Sequence, residues 1–68
     1  METLIELERR ARWLGATWVA DRLWGVRSAL LRGDRVSAYL ILVDVTCALQ
    51  PKGLASSREV AKVYLACA

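Results

Sequence analysis

Apolar residues recur at spacings of three and four through Leu4, Leu7, Ala11, Leu14 and Trp18. Val19, Leu23, Val26 and Leu30 continue the rhythm on an adjoining stripe. A period near 3.6 is that of a helix with one buried face. Thr3 precedes Glu6 by three residues, the spacing of a capping box, in which the acid reaches back to the N–H of the cap residue. Glu6 with Arg10 and Glu8 with Arg12 stand four apart with the acid first, the favourable order for pairing along a helix. Gly33 supplies a stop. The pattern predicts one long helix over residues 4–31, with Leu7, Leu14 and Trp18 on its core face. Gly15 and Gly25 are each about 1 kcal/mol worse than alanine in a helix, and mark places for a kink or a close helix crossing.

Asp34 follows the glycine as a cap for a second helix, which runs from Val36 to Leu49 and ends before Pro51. Its β-branched residues leave a strand over Tyr39 to Val45 as the alternative. The length of the run and the absence of a partner strand favour the helix. This helix is apolar nearly all round, so it is expected to be buried. Gln50-Pro51-Lys52-Gly53 reads as a loop. Ser56 and Glu59 repeat the capping-box spacing ahead of Val60, Val63, Tyr64 and Cys67, which predicts a short third helix. The expected architecture is therefore all-α, with one long, one medium and one short helix in a single domain over 1–68.

Composition adds a need for association. The chain has 68 residues, 56% of them hydrophobic, and a net charge of only +3, which excludes an intrinsically disordered chain. A chain this short buries only about 60% of the surface its unfolded form exposes, so the apolar excess predicts a homodimer with the second helix near the two-fold axis. Cys47 and Cys67, with no histidine beside them, build neither a disulfide framework nor a Cys/His zinc site, and read as reduced thiols of a cytoplasmic protein. The acidic start does not resemble a secretory signal. The apolar run from Val36 to Leu49 is too short to span a bilayer and holds Asp44.

Catalytic apparatus is hard to assemble from this residue set. Without histidine the candidates reduce to carboxylates, Lys52, Lys62, Tyr39, Tyr64 and the thiols, and no spacing groups them. Asp44 shares a helical face with Ser37 and reads as part of a polar stripe that reaches the surface or a neighbouring helix. Four scattered glycines make no phosphate loop. The expectation is a protein without enzymatic activity and without a cofactor. Nucleic acid is the rival partner, because seven arginines stand against Asp21 and Asp34 over residues 9–35. The segment Ser57-Arg58-Glu59-Val60-Ala61-Lys62 is similar to the first helix of a helix-turn-helix unit, but no recognition helix follows before Ala68.

On a single long helix, Trp13 and Trp24 lie three turns apart and point in nearly the same direction, with Leu31 two turns further on. Arg9 and Arg27 flank them. Trp, Tyr and Arg dominate interface hot spots, and eight of the ten basic residues are arginine, whose guanidinium stacks on rings and tolerates partial desolvation. This face is expected either to bind another protein or to form the core of the homodimer, with Tyr39 at the start of the second helix as the next candidate. A short, arginine-rich helical chain with this tryptophan face resembles the small phage-encoded inhibitors of bacterial regulators, both the quorum-sensing anti-activators and the anti-CRISPR proteins. The resemblance implies inhibition by stoichiometric binding in the host cytoplasm. An assembly subunit or co-chaperone is the alternative.

Overall fold

The computed structural model describes residues 2–68. They form four helices: α1 (Glu2–Trp13), α2 (Thr17–Leu31), α3 (Arg35–Leu49) and α4 (Ser57–Ala66). No strand occurs among the described residues, and Tyr39 to Val45 lies within α3. The expected architecture of three helices is thus corrected to four, because the segment taken as one long helix breaks at Leu14-Gly15-Ala16.

Gly15 causes the break. Its φ of +79° is left-handed, a region that costs any residue with a β-carbon about 1–2 kcal/mol. In that conformation the Gly15 N–H donates to the Arg12 carbonyl (3.1 Å) and the Ala16 N–H to the Ala11 carbonyl (2.8 Å). This pair of bonds satisfies the last carbonyls of α1 and turns the chain away from the helix axis. Gly33 closes α2 with the same pair of bonds, to Leu30 and Ala29. Gly25 stays helical and marks a close crossing instead. A β-carbon there would lie 3.5 Å from Ile41 Cδ1 on α3, at ordinary contact distance.

The starts of the helices differ in how they are held. The Asp34 side chain accepts from the Ser37 N–H (3.0 Å) at the head of α3. At the head of α4 the capping box of Ser56 and Glu59 is complete. The box expected at Thr3 is absent, because α1 is already helical at Glu2 and Thr3 lies inside its first turn. No side chain caps α2, whose cap position is Ala16.

All four helices feed one core. Leu4, Leu7 and Ala11 of α1 form one buried cluster with Val19, Leu23 and Val26 of α2, Ala38, Leu42, Val45 and Leu49 of α3, and Val60 and Val63 of α4. Leu54 and Ala55 of the α3–α4 loop close the bottom. The most extensive packing is α2 against α3, then α1 against α2, and α4 leans on α1 and α3. Leu14 and Trp18, expected on the core face, are both exposed, Trp18 by 48%. The break rotates them out of the stripe: Leu14 falls in the turn, and Trp18 starts a new helix whose inner face is set by Val19, Leu23 and Val26. Among the described residues no helix is long and apolar enough to cross a membrane.

Candidate protein-binding surfaces

Two polar arrangements fix the helices that carry the exposed side chains. Arg10 of α1 reaches α4, donating to both carboxylate oxygens of Glu59 (3.1 Å each) and to the Leu54 carbonyl (2.8 Å). A forked arginine–carboxylate pair sets orientation as well as distance. The Arg10 guanidinium, together with the Ser56 N–H, holds the Glu59 carboxyl down to about 2. The pairing with Glu6 expected from sequence gives way to this long-range contact, which offers two carboxylate bonds and a carbonyl bond at once.

The second arrangement runs along the seam between α1 and α2. Glu8 is buried, and its carboxylate meets Arg27 of α2 (3.3 Å) and Arg12 one turn ahead (3.5 Å). Arg12 also faces Asp21 at 3.8 Å. Arg27 is therefore half-buried and engaged within the chain, rather than presented to a partner beside the tryptophans.

Around this framework lie the large apolar side chains that the core leaves outside. Trp13, at the end of α1, is 88% exposed, with Arg9 one turn earlier on the same exposed face. Trp24 and Leu31 share the outer face of α2, two turns apart, and Leu31 is 75% exposed. The two tryptophans do not share one helix, because α1 ends at Trp13; the common direction read from a continuous helix is corrected accordingly. Trp13 with Arg9 belongs to α1, Trp24 with Leu31 belongs to α2, and the Glu8–Arg12–Asp21–Arg27 ion pairs occupy the seam joining those helices. Trp18 sits under the Arg22 guanidinium, 5.6 Å from its ring centre, and Arg22 continues to Asp44 of α3 at 3.6 Å. Asp44 is thus a surface partner for a neighbouring helix.

Tyr39 lies apart from the tryptophans, on α3. Its ring packs edge-on against Tyr64 of α4, with centres 5.7 Å apart, and the Tyr64 hydroxyl lies 3.1 Å from the Thr46 hydroxyl. Beside Tyr39 a groove of about 320 Å³ opens between the start of α3 and the end of α4, lined by Arg35, Val36, Tyr39, Leu40, Cys67 and Ala68. Arg35 donates to the Ala68 carbonyl at 3.0 Å and closes one end. Burial raises the Cys67 thiol above its ordinary value, which keeps it protonated and apolar, whereas Cys47 is exposed.

Val36, Leu40 and Val43 carry the most uniform part of this surface, and sequence reasoning missed them because it took the whole second helix as buried. The signal was present: Val36, Leu40, Val43 and Cys47 recur at spacings of four, three and four, on the side opposite Ala38, Leu42, Val45 and Leu49. The chain matches no family model, no curated protein and no solved structure.

Proposed function

We propose that the chain is a non-enzymatic inhibitor, which acts by stoichiometric occupation of a surface on a larger bacterial protein such as a transcription regulator. The observation that carries this reading is the exposure of Trp13, Trp24 and Leu31 on a chain whose core is already closed by other residues. Trp13, left almost wholly in water, contributes little to the isolated fold, and about half of Trp24 is likewise uncovered. Covered by a partner, either side chain brings the contact area and rigidity typical of hot spots. Arg9 beside Trp13 supplies a guanidinium for forked bonds to a partner carboxylate.

Two observations weigh against the rival readings. Of the seven arginines over residues 9–35, Arg10, Arg12, Arg22 and Arg27 are held in ion pairs within the chain, which reduces the charge on offer to phosphates. An assembly subunit needs its partner to complete its fold, whereas here all four helices already share one buried core.

The test pairs the wild-type chain with Trp13→Ala, both immobilised and exposed to the same bacterial lysate. The proposal expects one protein retained in stoichiometric amount by the wild type, and an affinity loss of at least about 2 kcal/mol for the variant. Circular dichroism should show the same helix content in both. Retention of the same proteins by both chains at equal affinity overturns it.

A further inference from the structure

We infer that the outer stripe of α3 is the contact face for a second copy of this chain, with the two α3 helices packed antiparallel. The inference stands on observations other than those behind the inhibitor reading. Its first support is the spacing. Val36, Leu40, Val43 and Cys47 form a seam with steps of four, three and four, the repeat by which two helices interlock side chains. Read from either end the steps are the same, so two antiparallel copies can set Leu40 against Val43 of the second copy and Val36 against Cys47 of the second copy. An isologous two-fold contact requires this self-complementarity.

Charge supports the same arrangement. No charged residue lies within the seam, and Asp44 at its edge is already paired with Arg22 at 3.6 Å. Arg32 and Arg35 stand at the N-terminal end of α3, where the helix dipole disfavours cations, and the last turn of α3 has no basic residue. In that register Arg35 of each copy lies level with Ala48 of the other, beside the carbonyl end of its α3, while Arg32 lies level with Pro51, next to Lys52. Parallel packing would instead stack the arginines of one copy against those of the other.

The area fits a weak, transient interface. Val36 is 72% exposed and Leu40 62%, and with Tyr39 and Val43 they present on the order of 400 Å² of surface. That is about a tenth of the 4289 Å² total, the usual share for a small protein in a complex. Two copies would cover about 800 Å², less than a stable specific interface buries, which points to a weak, transient association in the micromolar range or above. The groove beside Tyr39 gives side chains of the second copy a recess to enter.

Sedimentation equilibrium of the full chain, from micromolar to submillimolar concentration, should show the mass rising to twice 7.6 kDa. Leu40→Glu should weaken the association more than tenfold while its helical circular dichroism stays unchanged. Oxidation of Val36→Cys should give a covalent pair through Cys47 of the second copy, and the same variant carrying Cys47→Ser should give none. A wild-type chain that stays monomeric throughout overturns the inference, as does a folded Leu40→Glu that associates as well as the wild type. Covalent pairing that survives Cys47→Ser overturns the antiparallel arrangement.

Discussion

The two faces of α3 are built from the same kinds of residue and meet opposite environments. Ala38, Leu42, Val45 and Leu49 are fully buried against the other helices, while Val36, Leu40 and Val43 look out into solvent. Composition cannot separate the two sets. What separates them is the number of helices available to cover α3: α2 lies along one side and α4 along another, and no remaining helix reaches the outer stripe. Burying an aliphatic side chain stabilises by about 1.5–3 kcal/mol, so an uncovered stripe of this kind forgoes a contribution that a contact could supply. The inner face makes the fold, and the outer face is surface held ready by it.

The comparison is broken most severely by leucine truncations placed two residues apart. Leu42→Ala should destabilise the chain by about 2–5 kcal/mol, because it opens a cavity in the shared core. Leu40→Ala, measured at concentrations too low for association, should cost under about 0.5 kcal/mol. Urea denaturation followed by circular dichroism reads both, and equal costs would mean that the outer face is part of the core. Gly15→Ala comes next, with an expected loss of about 1–2 kcal/mol at a left-handed turn, because the substitution pulls the chain toward the continuous helix that the apolar rhythm favours. A further effect, below that of Gly15→Ala, is electrostatic. The Glu59 carboxyl titrates at about 2 in the folded chain, against an ordinary value near 4.5. Its contribution is therefore complete above about pH 5 and lost as the pH falls through that interval. Because the pair with Arg10 is partly exposed, about 1 kcal/mol is expected, and Glu59→Gln should flatten the acid limb of stability against pH.

Much of this fold is legible where chemistry marks a boundary on both sides. Gly33 followed by Asp34 ends one helix and caps the next, and Ser56 with Glu59 announces α4; each stands where its residue types require. The α1–α2 boundary uses the same glycine closure, but the residue after it is Ala16, which offers no capping oxygen. Apolar spacing runs across the gap from Ala11 through Leu14 to Trp18, so the periodicity conceals a turn that Gly15 alone signals. The placement of Trp18 in the core fell with that helix, and so did the shared direction of Trp13 and Trp24. Long-range pairing was illegible for another reason. Arg10 has Glu6 within local reach, and its choice of Glu59, 49 residues away, is made by the packing of α4 on α1. The exposure of Trp13, Trp24 and Leu31 follows from helical spacing that sets them off the apolar stripe, whereas that of Val36, Leu40 and Val43 follows from how few helices exist to cover α3.

The most direct test of the claim that the outer face of α3 is a contact surface is the dependence of stability on chain concentration. If two copies associate through Leu40 and Val43, association is linked to folding, and the thermal midpoint of the wild type rises as the chain is concentrated through the micromolar range. The midpoint of Leu40→Glu should stay constant over the same series, at the value the wild type reaches on dilution. A wild-type midpoint independent of concentration, or a Leu40→Glu midpoint that rises in parallel with it, would contradict the account.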